Sequence, residues 1–471
     1  MATYYASPTG AYDAPGTYAN PWNVARVDYA AQNTLNPGDT VIFKTGTYTY
    51  AGADYGYMIQ PKRAGASGNP IVYASEVIHG SIIDGNASGD HYHVTNSQSQ
   101  PLATHGAHSV FMLWYANYLR FEGLVVRKGL WGGIACNVIP GSNYITIYRC
   151  IVHDIGQRYE YKDYYGISGI FCGQQIHDWT LDSNTIYNCG RLNTETTGFL
   201  DGGYWMGSTY FPEWSLGHNW YHDHGFYACG LRHYVVNNVF YNCVHGWSIS
   251  VSPENHANDG PDWRIVNNTF DGTNPTTPGN IGCNNPERMT NMLVSNNIFY
   301  QPTTSMIHFI YGYGWASNMI IRNNLATCSS TYSISNVPPT PGPGTIVDNI
   351  LNVSPSAFFV DAATHDYHLA GTSPAISAAY GPDAPDYDLN QVERPIGEDD
   401  SGAYEYEGGF FMATYVKFQD FVEQLCKGVH QLHAAGHTLN VYLTNTTPNV
   451  STHAVKADLA GITEQNGYAA A

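Results

Sequence analysis

Two stretches gather the residue types that could do chemistry. One is "QRYEYKDYYGIS" (157–168), the other "RLNTETTGFLDGGYWMGSTYFPEW" (191–214). Each mixes carboxylates with aromatic rings: Glu160 and Asp163 among Tyr159, Tyr161, Tyr164 and Tyr165, then Asp201 and Glu213 among Tyr204, Trp205, Tyr210 and Trp214. Aromatic faces stack on the apolar faces of sugar rings, and carboxylates bind hydroxyls or move protons. Glycoside hydrolysis needs two carboxyl groups, ~5–5.5 Å apart for retention or ~6.5–9.5 Å for inversion. Asp163 and Asp201 are the expected pair, one per stretch. Tyr161, Lys162, Tyr164, Tyr204, Trp205 and Trp214 are the expected substrate contacts. The competing reading is a local apolar cluster under long loops, with both acids merely solvated.

A third phrase, "NWYHDHGFYACG" from Asn219, sets His222 and His224 either side of Asp223. Two histidines at this spacing could act as acid and base or hold a metal. On a strand they face one way and Asp223 the other, so three metal ligands do not converge. The phrase aligns with "IVHDIG" (151–156) and "IYNCG" (186–190) and reads as a coil corner, with His222 a possible catalytic partner. "HYHV" at His91 and His93 carries less.

These stretches interrupt a repeat. "LDSNTI", "VVNNVF", "IVNNTF", "VSNNIF", "IRNNLA" and "IVDNIL" recur between Leu181 and Leu351, with looser copies "FEGLVV", "IYRCIV" and "LGHNWY". The second Asn falls at 238, 268, 297, 324 and 349, in steps of 30, 29, 27 and 25 residues. Each copy reads strand, tight Asn turn, strand, because Asn tolerates left-handed backbone angles. Three short strands per step describe one coil of a parallel β-helix. Stacking about ten coils at ~4.8 Å gives a rod roughly 50 Å long. A β-propeller would step by about 40–45 residues instead. Both inserted stretches follow equivalent corners of adjacent coils, so they emerge on one side and would wall a groove.

Composition agrees. Only 12% of residues are charged, while Gly (48), Tyr (38) and Pro (25) favour turns and strands. The net charge is −19, and the last 60 residues, with three basic and four acidic side chains, contribute almost none of it. No basic cluster exists to meet nucleic acid. No apolar run approaches the ~20 residues of a membrane span, and "MATYYASPTG" has neither the basic nor the apolar region of a signal peptide. The expectation is a chain made in the cytoplasm. Nine cysteines in repeating contexts ("YNC" twice) suggest stacked buried thiols rather than disulfides. Val24, Val27 and Ala31 have the spacing of a short capping helix, and "NPGDTVIFKTGTY" turns at Pro37-Gly38 into the first strand pair.

The front, "YYASPTGAYDAPGTYANPW" with "LNPGDTVIFKTGTY", resembles the first coil of right-handed parallel β-helix proteins of the pectate-lyase-like superfamily. "DYHLAGTSPAISAA" with "RPIGEDDSGAYEY" resembles their closing segment. The resemblance spans about residues 4–406 and implies an all-β, right-handed parallel β-helix. It does not imply one activity, since the superfamily includes lyases, hydrolases, epimerases and non-catalytic adhesins. A lyase of this kind would need a Lys, Arg, His or Tyr base and commonly calcium. Only Lys162 among the β-helix lysines falls in the inserted stretches. No cofactor is required for hydrolysis or binding, and Ca2+ is an option only for the lyase.

From Met412 the pattern changes. "KFQDFVEQLCKGVHQLH" puts Phe418, Phe421, Val422, Leu425, Val429 and Leu432 on one helical face, and "TLNVYLTN" reads as a strand. This segment resembles the opening of small structural proteins encoded among tailed-phage head and tail genes, through its "MATYxKFxxFVExL" start and "LxVxLTNTxP" strand. The expected organisation is a cap and first coil (1–48), β-helix (49–360), closing segment (361–408), seam (409–411) and incomplete phage-structural-protein-like segment (412–471). The resemblance implies a virion-associated, tailspike- or decoration-like protein, released by lysis and often trimeric. Its partners would be a cell-surface polysaccharide and, through 412–471, other virion proteins. Neither nucleic acid nor membrane is expected. The alternatives are a non-catalytic decoration protein and a free bacterial lyase or hydrolase.

Overall fold

This computed structural model describes residues 1–52, 56–87, 106–138, 140–156, 167–190, 204–206, 209–211, 223–243, 246–252, 262–273, 279–284, 290–310, 318–334, 345–395 and 397–406. The chain divides into two units, Met1–Tyr406 and Glu407–Ala471, and the described residues all belong to the first. That unit is a parallel β-helix. Each coil lays one strand in each of three parallel sheets, A, B and C, which hold eleven, nine and nine strands. Nine complete coils run at 40–59, 71–112, 119–136, 145–172, 179–229, 234–252, 264–284, 293–310 and 320–334. Strand Thr3–Ala11 precedes them in sheet A and strand Thr345–Val347 follows.

In-register stacking explains why the repeat works. One inward column of sheet A reads Val41, Tyr73, Phe121, Ile147, Leu181, Val235, Ile265, Val294, Ile321. Sheet B supplies Phe240, Phe270 and Phe299, stacked at 5.3 and 5.0 Å. Every one of these side chains is fully buried, so no coil could be stable without its neighbours. Eight cysteines are described, all free and seven buried, with Cys136 and Cys172 on adjacent rungs.

The two asparagines of the recurring phrase do different work. The first, as at Asn237, Asn267, Asn296 and Asn323, takes the left-handed conformation (φ 50–58°) that turns the chain from sheet A to sheet B. The second forms a ladder: Asn184, Asn238, Asn268, Asn297, Asn324 and Asn349. Each Oδ1 accepts the backbone N–H and side-chain amide of the ladder residue one coil earlier, at 2.9–3.0 Å. The Cys150 amide, bonded to Asn184 at 2.8 Å, starts the series. A buried corner thereby satisfies its backbone groups without water.

Helix α1 (Val24–Asn33) is capped by the Asn23 side chain on Arg26 N and buries Val27, Ala30 and Ala31. At the other end, residues 353–406 run back along the flank instead of plugging the rod. Phe358, Phe359, Tyr367 and Leu369 pack on Val239, Ile298 and Leu325, which line the outer face of sheet B. The carbonyls of Tyr387 and Asp400 accept bonds from Asn237 and Asn267, and Tyr148 donates to Gln391 at 2.6 Å. Buried Arg394 joins Glu405, Asn237 and the Gly402 carbonyl.

Candidate functional site

The connections from sheet B to sheet C are short in most coils and long in three, at 85–108 in the second coil and at 156–167 and 190–223 in the adjacent fourth and fifth. All emerge at one corner, the placement expected for the two inserted stretches. Gly156 and Gly190 make the exits in the left-handed region (φ 71° and 108°), with their amides bonded to the Gly129 and Ile155 carbonyls. A Cβ on Gly156 would sit 2.1 Å from Ile167, so the exit and re-entry of that loop touch. At the re-entries Asp223 Oδ1 accepts from Ile167 N (3.1 Å), and His224 N donates to Ile167 O (2.8 Å), tying the necks of both loops together.

The corrected position of the "HDHG" phrase follows from this. His224 opens strand His224–Cys229 of sheet C, whereas "IVHDIG" and "IYNCG" lie on sheet B strands Ile151–Ile155 and Thr185–Cys189. The equivalent of those two phrases in the next coil is "FYNC" at 240–243. Local likeness between "HDHG" and "HDIG" misled the alignment, because the long inserted loop separates the true sheet B corner from it.

The re-entry points carry rings. His108 lies against Trp131 (5.2 Å), Trp131 against Phe171 (4.7 Å), and Phe171 flat against Tyr227 (5.2 Å, 7° between planes). The row continues through His224 (5.5 Å), Trp247 (5.6 Å) and His308 (6.2 Å). It runs along sheet C from coil 2 to coil 8, about 29 Å at the coil spacing. Register places Phe171, Tyr227 and His308 in one column with Ser250, Gly282 and Ser333, and His108, Trp131, His224 and Trp247 join it from where the chain enters sheet C. Gly282 is required there, because a Cβ would lie 2.4 Å from the Trp247 ring. Trp131, Trp247 and His224 are buried, while His108, Phe171 and Tyr227 keep part of their surface exposed.

Burial pushes both His108 and His308 down to about 4, so these imidazoles are neutral at pH 7. His308 Nδ1 lies 2.8 Å from the Ser333 hydroxyl. His224 Nδ1 accepts the Trp247 amide (3.2 Å), which places its ring proton on Nε2. His233 has a different role: it accepts from Trp179 N, bonds Cys229 O, and is a satisfied core residue held down at about 4 by burial.

Across the same corner, the outer face of sheet B adds charged groups. Asp84 bonds Arg127 at 2.7 Å with Lys128 at 3.8 Å, and Asp154 lies 2.9 Å from His153 and accepts from Asn188 at 2.9 Å. Burial raises the Asp154 pKa, but His153 and Asn188 outweigh it and hold the carboxyl below its usual value. Asp154 is thus held as a paired anion, poorly suited to donate a proton at neutral pH, and Asp84 is engaged in its ion pair with Arg127.

Of the residues expected from sequence, Tyr161, Lys162, Asp163, Tyr164, Asp201, Trp214 and His222 lie outside the described residues. Tyr204 and Trp205 fall on strand Tyr204–Met206, which pairs antiparallel with Thr209–Phe211, Trp205 opposite Tyr210. Sequence reasoning missed His108, Trp131, Phe171, Tyr227, Trp247 and His308. They come from six coils, and only the stacking of those coils brings them together. Among the described residues no group of three or more His, Cys, Asp or Glu is arranged to hold a metal.

No family model and no curated protein matches the chain. Solved structures do resemble it in fold. A pectate lyase aligns at 15% identity over 86% of this chain and 96% of its own, with a TM-score of 0.44. An alginate lyase from Paenibacillus aligns at 15% identity, covering 75% and 98%, with a TM-score of 0.42. The ORF18 protein of Geobacillus virus E2 aligns at 10% identity, covering 74% and 62%, with a TM-score of 0.36. Likenesses this remote assign no activity, and the β-helix rests on the strand pairing itself.

Proposed function

We propose that this protein binds polysaccharide along the sheet C flank, in a groove walled by loops 157–168 and 191–214. The observation that carries the reading is the row of stacked rings at the loop necks, with Phe171, Tyr227 and His108 partly exposed. Aromatic rings repeating at about the coil spacing suit a chain of sugar rings, each offering an apolar face. Tyr161, Lys162, Tyr164, Tyr204, Trp205 and Trp214 are the proposed further contacts from the walls. Where the bound chain is also cut, Asp163 and Asp201 are the proposed carboxylates, with His222 beside them; the paired states of Asp84 and Asp154 favour binding over cleavage by the described residues.

The finer proposal is a virion-associated, tailspike- or decoration-like rod, with 412–471 attaching it to other virion proteins. The sequence resemblance of that segment supports it. A glycan array tests the binding claim. Wild type retains at least one glycan class, and Tyr227→Ala and Trp205→Ala each weaken retention by about tenfold (~1.4 kcal/mol). Absence of any glycan ligand, or full retention by both variants, contradicts it.

A further inference from the structure

A second site lies on a different sheet. The outer face of sheet A holds an open, shallow cavity of about 370 Å³, lined wholly by described residues. Arg120, Thr146 and Thr180 form its floor, one per coil in strict register. The hydroxyls of Thr146 and Thr180 have no hydrogen-bond partner among the described residues.

The rim comes from the corner that joins sheet C to sheet A. Tyr118, Tyr144, Asp178 and Arg232 take the same left-handed conformation on successive coils (φ 53–60°), an uncommon choice for such bulky side chains. Tyr118 and Tyr144 stack at 4.5 Å and 2°. Asp178 receives a bidentate Arg232 at 2.9 and 2.8 Å and lies 2.5 Å from His177 Nδ1. Burial raises the Asp178 pKa, but Arg232 and His177 outweigh it and hold the group below its usual value, as a carboxylate.

The charges in this cavity are already paired: Arg232 with Asp178, and Arg120 with Glu122 at 2.8 Å. A second carboxylate from a ligand would meet no uncompensated cation. What remains is hydroxyl chemistry: two threonine hydroxyls, unused lone pairs on Asp178, and unused guanidinium N–H groups. Vicinal sugar hydroxyls, each both donor and acceptor, match that set, and the tyrosines supply aromatic contact.

We propose that this cavity binds one neutral hexose unit, independently of the loop-walled groove on sheet C. Saturation-transfer NMR on the full chain tests it, with glucose, galactose, mannose and glucuronate as separate probes. At least one neutral hexose receives saturation from the wild type. In Thr180→Val, an isosteric change, and in Asp178→Asn, that signal falls more than about threefold (~0.65 kcal/mol). In Trp205→Ala it does not. The proposal is overturned if no neutral hexose responds, if either cavity variant keeps its signal within threefold, if Trp205→Ala abolishes it, or if glucuronate responds more strongly. Failure of the sheet C groove would appear instead on the array, in Trp205→Ala and Tyr227→Ala.

Discussion

Replacing Asn268 by Ala removes the middle rung of the asparagine ladder. Its Oδ1 accepts from Asn238 N (2.9 Å) and Asn238 Nδ2 (3.0 Å); its Nδ2 faces Val235 O (2.9 Å), Val266 O (3.0 Å) and Asn297 Oδ1 (3.0 Å). The site is fully buried, so water cannot replace these partners. The Asn238 amide, which the side chain of Asn268 satisfies, is orphaned at a cost of about 1–3 kcal/mol, and the remaining lost bonds add roughly 0.5–1.5 kcal/mol each where they are not compensated. These sum to about 3–9 kcal/mol if nothing compensates, and partial compensation by the neighbours sets the expectation at about 3–6 kcal/mol. Asn349→Ala makes the comparison: it loses similar bonds at the rod's end, where Val347 is exposed and hydrated, and costs about 2 kcal/mol or less. Because a solenoid can open coil by coil, urea unfolding is paired with amide exchange in coils 6–8. Asn268→Ala shifts the midpoint and speeds exchange in those coils. A loss below about 1 kcal/mol, or equal losses in the two variants, would refute the ladder as the element that holds this corner.

Acid should loosen the rod. His233, His108 and His308 are neutral when folded, with pKa about 4 against 6.5 for the free side chain. The unfolded chain therefore binds more protons below pH 6.5, so stability is full above that value and falls as pH drops toward 4. Buried His233 alone accounts for up to about 3 kcal/mol, and melting temperature against pH reads the sum. Gly282→Ala forces the Trp247 ring off sheet C, costing about 1–3 kcal/mol and changing tryptophan emission; unchanged emission contradicts the packing. Residues 1–408 expressed alone should fold and melt like the full chain, because the described β-helix and its flanking segment close within Met1–Tyr406; a lowered melting point assigns 409–471 to the rod.

The β-helix was legible because its repeat is short-range. The "NN" phrase places a left-handed turn and a ladder rung together, and steps of 25–30 residues leave room for three strands. Inward columns such as Val235, Ile265 and Val294 follow from aligning the phrase. The common corner of the inserted loops was legible for the same reason. The ring row was not: His108, Phe171 and Tyr227 sit after loops of unequal length, so nothing in local sequence aligns them. The sheet A cavity was hidden likewise, its rim residues Tyr118, Tyr144, Asp178 and Arg232 sharing a backbone conformation but spanning three residue types. The path of residues 353–406 depends on contacts 84–243 residues away, such as Tyr380 with Asn296, Arg394 with Asn237 and Gln391 with Tyr148.

Polysaccharide retention by the full chain tests the sheet C groove most directly. Wild type and Tyr227→Ala are run through gels cast with a panel of neutral and acidic polysaccharides, while reducing ends and unsaturated products are read separately in solution. At least one polysaccharide slows the wild type and releases Tyr227→Ala, whether or not product forms. Equal migration of the two proteins in every gel would contradict the groove.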